Sequence, residues 1–155
     1  MKAISLWQPW ATWCMIPWKT IETRGHNMFR SLAGQRIAIH AARKTDPDAW
    51  STAEPYLTAA QWNEAQGMVY PHGYVLGTVT VAYAIWGHPR DSKAALCPVD
   101  ITRYCLYLAE PHRFETPIPA RGFQGIWEWD GAGSFQDHWE HPMNPLFQMK
   151  ENARD

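Results

Sequence analysis

The chain has 155 residues, of which 46% are hydrophobic and 19% charged, with a formal net charge of −1. That length buries the core of one domain, that composition excludes a disordered chain, and the balanced charge gives no sign by itself of a polyanion partner. Cys14, Cys97 and Cys105 are odd in number and form no CxxC, which suits small apolar packing groups in a reduced, cytoplasmic setting rather than a disulfide framework.

The amino terminus runs straight into KAISL without a signal peptide, and no apolar run is long enough to span a membrane. Residues 2–6 read as a short strand. Pro9 suits the first turn of a helix, because it lacks the N–H that is unpaired there, and the helix is expected to reach about Ile16 before Pro17 ends it. Trp10, Trp13 and Cys14 fall at helical spacing, so one face is apolar and Trp10 is expected to be mainly structural. Residues 20–24 (TIETR) are rich in β-branched side chains and read as a strand. Alternation puts Ile21 and Thr23 on one face and Thr20, Glu22 and Arg24 on the other, with Lys19 at the bend before them. Such a Lys–Glu–Arg cluster is either an ion pair closing a strand end or the polar part of a cleft walled by the nearby tryptophans.

Residues 25–34 read as a loop and 35–41 (QRIAIHA) as a strand, with Ile37 and Ile39 inward and Arg36, Ala38 and His40 on the other face. His40 is either a structural hydrogen-bonding residue or an acid–base group. Arg43 and Lys44 follow it. Residues 46–65 look helical, with Asp46 as N-cap and Pro47 at the first position, a break at Pro55, and a second piece from Thr58 to about Gln66 stopped by Gly67. This insert is expected to pack through Trp50, Tyr56, Leu57 and Trp62. Residues 74–86 (YVLGTVTVAYAIW) form the strongest strand, in which Gly77 marks a bulge or a close backbone approach. A loop over 87–99 leads to strands at 104–108 and 113–115, parted by Pro111, and Pro117 and Pro119 fit an edge or bulge. Arg121-Gly122 is a turn and 125–129 the last strand. Six or so short strands with helical inserts predict an α+β fold.

Residues 131–155 differ in composition and are expected to form a tail on the domain of residues 1–130, packed on it or partly mobile. Their HWEH run, with His138, Glu140 and His141, lacks a third ligand in register, so no metal and no other cofactor is expected. Nor is there a Gly-rich phosphate loop, a nucleophile elbow or an HExxH helix. Charge is unevenly spread: residues 1–44 carry seven Lys/Arg against the single acid Glu22, a local charge of +6 among interleaved aromatics. That is either a face for an anionic ligand or a solvated surface.

SLWQPWA followed by KTIETR resembles the ASCH domain, a small domain similar to the PUA fold of RNA-binding proteins. The ASCH signature reads roughly Gly-x-Lys-x-x-Glu-x-Arg; Lys19, Glu22 and Arg24 match it, and its glycine has no counterpart here. IAIHAARK, VLGTVTV and RYCLYLAEPHRFETPIPARGFQGIWEW resemble later segments of the family, so the likeness covers about residues 2–129 in one order. It implies a PUA-like, mostly antiparallel β-barrel with flanking helices.

The resemblance also implies a role in binding RNA, single-stranded nucleic acid or a modified nucleoside. The expected binding residues are Trp7, Gln8, Arg24, His40, Arg43, Lys44, Tyr107 and Gln124. Basic side chains hold phosphates, rings stack unpaired bases at about 1–3 kcal/mol each, and Gln8 or Gln124 offers both a donor and an acceptor to a base edge. The alternative is a small metal-independent hydrolase using Lys19 and Glu22. Some ASCH relatives look like amidohydrolases on acylated cytidine nucleosides, with a lysine and a threonine in the signature and a distant glutamate. Lys19 matches that lysine, but Glu22 stands at the threonine position. Others resemble ribonucleases, for which Glu22 or His40 supplies a base and Lys19 or Arg24 a cation. A third possibility is an interaction domain whose aromatic surface docks a protein.

Overall fold

The computed structural model of the chain describes residues 1–131. Its scaffold is a six-stranded mixed sheet of β1 (Lys2–Gln8), β2 (Ile21–Arg24), β3 (Arg36–Thr45), β4 (Tyr74–Trp86), β5 (Tyr104–Pro119) and β6 (Ile126–Glu128). The strands run in the order β2-β5-β4-β3-β1-β6. The β1–β3 pairing is parallel, and the other four pairings are antiparallel. The ladder starts at β2 and stops at β6, so the sheet is not closed, in contrast to the barrel expected from the resemblance. The α+β class and the mostly antiparallel pairing hold.

Short helices flank the sheet: α1 (Trp10–Trp13), α2 (Ala49–Ala53), α3 (Ala59–Gln66) and α4 (Ser92–Ala95). Helix α1 is one turn rather than two, and Pro9 stands at its N-cap, not inside it. Asp46 does not cap a helix. It accepts N–H bonds from the Asp48 backbone and from the Trp10 indole, which ties α1 to the chain leaving β3. Helix α3 starts where expected, with Thr58 and Gln61 closing a reciprocal capping box and Gly67 following the last turn. Pro55 lies in a 3₁₀ turn, Glu54–Tyr56, between α2 and α3. Residues 87–99 are not plain loop. A 3₁₀ turn over Pro89–Asp91 runs into α4, and His88 caps it: its Nδ1 accepts from the Arg90 N–H, while its own N–H donates to the Asp91 carboxylate.

Four packed clusters hold the described residues together, one of them Ile21, Ala95, Val99 and Cys105 under β2 and α4. Ile4, Leu6, Ile37, Ile39, Val79, Val81 and Leu106 fill the main core. Trp13 and Ile16 face the helical insert, where Trp13 meets Trp10 and Trp50 edge-on at 5.1 Å and 5.0 Å between ring centres. Ala38 is buried as fully as Ile37 and Ile39, so β3 is covered on both faces: Ala3, Ala38, Val75 and Trp129 form a third cluster flanked by Phe114, Ile118 and Trp127. Pro111 does not divide two strands. β5 runs through it as one 16-residue strand whose pairing with β4 shifts register three times. Gly77 fills both roles expected of it. A register shift occurs beside it, and a Cβ there would lie 2.2 Å from the His112 carbonyl oxygen.

Candidate functional site

Strands β1 and β2, α1, Asp46 just after β3, Arg103 just before β5 and Gln124 surround a cleft of about 870 Å³, within the range of small-ligand sites. Trp7, Lys19, Glu22, Arg24 and Gln124 all line it. Five of the expected site residues, scattered through the sequence, therefore meet at one cavity.

Lys19 and Glu22 are a buried pair. The Lys19 ammonium donates to the Ile21 carbonyl at 2.5 Å and to Glu22 Oε2 at 3.3 Å, and its side chain is only 1% exposed. It also lies 5.5 Å from the centre of the Trp10 ring. Burial acts to lower the Lys19 pKa, but the acidic groups around it prevail and hold it above the usual lysine value. Of those groups Cys14 is pushed up to about 12 by its own burial and stays a thiol at neutral pH, so the anion facing Lys19 there is Glu22. Cys14 donates its S–H toward the same Glu22 oxygen at 3.9 Å. Lysine has three donor hydrogens, so these two bonds leave one.

Arg24 is held differently. Its Nε stands 3.8 Å from Glu22 Oε1, an ion pair too long to be a hydrogen bond. Its guanidinium carbon sits 4.9 Å over the Phe29 ring. Nε and Nη2 are both buried and have no hydrogen-bond partner. These two nitrogens carry the parallel N–H bonds of one guanidinium edge, the fork that engages an acceptor pair. Buried donors left without a hydrogen bond cost free energy, so two such donors on a residue that lines the cleft are an informative exception.

Sequence reasoning does not assign Arg103, Cys97 or Trp10 to the cleft, among others. Arg103, just before β5, donates to Thr23 Oγ1 at 2.8 Å and brings a second guanidinium to the wall. Cys97 lies 3.7 Å from the same hydroxyl. Trp10, expected to be mainly structural, packs on Trp13 but also lines the cleft, and it donates to Asp46 at 2.8 Å. The pairing of β2 with β5 aligns Arg24 with Tyr104 and so places Arg103 beside the signature, a neighbourhood that no local sequence pattern announces.

The remaining expected residues lie elsewhere. Gln8 is buried with both ends of its amide occupied: Nε2 donates to the Pro71 carbonyl at 2.7 Å and Oε1 accepts from the Thr12 N–H at 3.1 Å. It organises the β1–α1 turn and does not face the cleft. Tyr107 stacks on Tyr83 at 4.2 Å between centres and lines neither of the two large hollows. Burial and a hydrogen bond with Asp91 raise its pKa. His40 is buried on β3. Its Nε2 is 3.0 Å from the Ala120 carbonyl and therefore donates, leaving Nδ1 to accept from Ser5 Oγ at 3.0 Å. Burial lowers its pKa, so the neutral ring is the favoured form. Arg43 and Lys44 are exposed at the end of β3, outside the cleft, beside a second hollow that also touches Trp7 and Gln124. His138, Glu140 and His141 lie outside the described residues, as does the tail beyond Gly131. Among the described residues no helix is long and apolar enough to cross a membrane.

No family model matches the chain, and no curated protein matches it. Solved structures do. The crystal structure of ASCH from Zymomonas mobilis is similar at a TM-score of 0.54 and 16% identity, over 88% of this chain and 93% of that one. A tyrosine-to-phenylalanine mutant of the Zymomonas mobilis protein is similar at 0.53 and 14%, over 88% and 96%. A serine-to-alanine mutant is similar at 0.51 and 14%, over 88% and 94%. A likeness that spans nearly the whole of both chains, with so few residues in common, shows that this chain has the ASCH fold.

Proposed function

We propose that the cleft binds one unpaired base of a nucleic acid or nucleoside, read edge-on by Glu22 and Arg24. The observation that carries this reading is Arg24 of the cleft, buried against Phe29 with no hydrogen bond at Nε or Nη2 and with the Glu22 carboxylate beside it. A bare anion suits this spot poorly, because Glu22 repels it. A base edge suits it well: it presents a donor to the carboxylate and an acceptor to the guanidinium at once. Trp7 and Trp10 supply apolar faces on which a base ring packs. A duplex hides its base edges from so small a cleft, so the ligand class is single-stranded.

Fluorescence anisotropy of a labelled single-stranded RNA 8-mer, followed across salt concentration, tests the reading. Binding at low salt that weakens as salt rises is the expected result. Correctly folded protein that binds no oligonucleotide at low salt sinks it.

A second reading is hydrolysis at the same place, and the buried Lys19–Glu22 pair at the cleft favours it. Glu22 takes a proton from water or a ribose hydroxyl, while the remaining Lys19 N–H stabilises the developing oxyanion. Removal of a general base lowers rates by about 10²–10⁴-fold, so turnover of acylated cytidine or RNA that survives Glu22→Gln at full rate removes Glu22 from that mechanism.

A further inference from the structure

Beside the cleft, a second hollow of about 840 Å³ opens on the other side of Trp7. The two hollows share Ser5, Trp7 and Gln124, so Trp7 stands on the divide. Their charge differs. The cleft sets Lys19, Arg24 and Arg103 against Glu22 and Asp46, whereas the second hollow is lined by Arg43, Lys44 and Arg121 and by no acid. Two large rings stand open there, Trp7 at 47% and Phe123 at 52% exposure. Each has a cation across its face: Lys44 Nζ lies 5.3 Å from the Trp7 ring centre, and the Arg121 guanidinium 5.5 Å from that of Phe123.

This hollow is built, not incidental. His40 binds the Ala120 carbonyl through Nε2 and Ser5 through Nδ1, and Trp127 donates its indole N–H to the same Ser5 oxygen at 3.1 Å. Gly122 lies so close over His40 that a Cβ would come within 2.3 Å of the ring. The turn that presents Arg121 and Phe123 is thus anchored to a buried imidazole.

We infer that the second hollow is a strand subsite: it takes the phosphates and a stacked neighbouring base of a single strand whose other base enters the cleft. The inference rests on the base-reading cleft for the order of the two subsites. Cations hold phosphates, and they do so better where no carboxylate competes, as in this hollow and not in the cleft. Exposed rings paired with cations serve stacked bases and their phosphates together. The natural ligand is then an oligonucleotide rather than a free nucleoside.

The test compares a single-stranded RNA 8-mer with ribonucleoside 5′-monophosphates on the full chain. The variants are Arg121→Ala/Phe123→Ala, Arg24→Ala, and Arg90→Ala as an exposed charge change at neither hollow. Loss of a stacked base and a phosphate contact should weaken 8-mer binding about tenfold or more and lower the salt slope by about 0.7. Mononucleotide binding should not change, and Arg90→Ala should affect neither ligand. An 8-mer that binds no tighter than a mononucleotide overturns the inference and leaves the cleft reading standing. Equal losses from Arg90→Ala and from the double variant also overturn it. If instead Arg24→Ala leaves both ligands unaffected while the double variant still weakens the 8-mer, the cleft reading falls and the strand subsite remains.

Discussion

The Lys19 ammonium lies 3.3 Å from Glu22 Oε2 with side-chain exposures of 1% and 10%, so the signature pair is largely buried where it borders the cleft. Removing one partner strands the other charge in a buried site, which costs about 3–5 kcal/mol. Lys19→Met should therefore lower the unfolding free energy by about that amount in urea titration. A variant as stable as the wild type would show that the pair contributes nothing to the fold.

The same pair sets an alkaline limit. The Lys19 pKa is raised in the folded chain, so the folded state binds this proton more tightly than the unfolded one. The stabilisation is complete below about pH 10.5, the unfolded value, and is lost as pH rises through the folded value. His40 behaves in the opposite sense, since burial lowers its pKa. Between its folded value and about 6.5 the unfolded state binds more protons, so stability falls as the solution is acidified through that window. Urea midpoints measured from pH 7 to pH 4.5 should drop less in His40→Gln than in the wild type. Equal drops would exclude His40 as a source of acid sensitivity.

Trp10 couples fold to site. Its ring packs edge-on against Trp13, its N–H binds Asp46, and its face lines the cleft. Trp10→Ala should cost about 3 kcal/mol, the low end for an aromatic because the ring is half-buried, and should weaken ligand binding as well. Trp10→Phe should keep most of the stability and lose only the Asp46 bond, about 1 kcal/mol. A melting temperature unchanged in Trp10→Ala, with binding lost, would assign the residue to the ligand alone.

Much of this architecture is legible in the chain. The β-branched run of β4 reads at the same bounds, 74–86, because nothing in it competes with a strand. The signature cluster and the Thr58 start of α3 are equally plain. The rest is hidden for physical reasons. Pro111 reads as a break, yet shifts in pairing register let the strand pass it. The strand read over 35–41 in fact continues through Arg43 and Lys44 to Thr45, which still pairs with Gln8 across a bulge. The turn at Pro89–Asp91 is capped by a histidine, a residue seldom read as a cap. Gln8 looks like a base reader until the Pro71 carbonyl, 63 residues away, takes its amide. Arg103 enters the cleft only through the β2–β5 pairing, which no local pattern announces.

Gly122 offers a small change with a defined consequence. A Cβ there meets His40 at 2.3 Å and Ser5 Oγ at 2.6 Å, and both belong to a buried network that has little room to move. Gly122→Ala should destabilise by about 1–3 kcal/mol, as overpacking does, and should weaken oligonucleotide binding by displacing Arg121 and Phe123. Wild-type stability and binding together would show that the turn is not seated on His40.

Calorimetric titration of the wild type, Arg24→Ala and Arg24→Lys with the four ribonucleoside 5′-monophosphates tests the central claim most directly. The wild type should bind at least one of them, with a preference among the bases. Arg24→Ala should lose about 10-fold or more in affinity for it, as expected for a charged hydrogen-bonding fork. Arg24→Lys should not restore it, because an ammonium lacks the paired N–H edge. Folded Arg24→Ala that binds the preferred mononucleotide as tightly as the wild type would contradict the reading of this cleft as a base-recognition site.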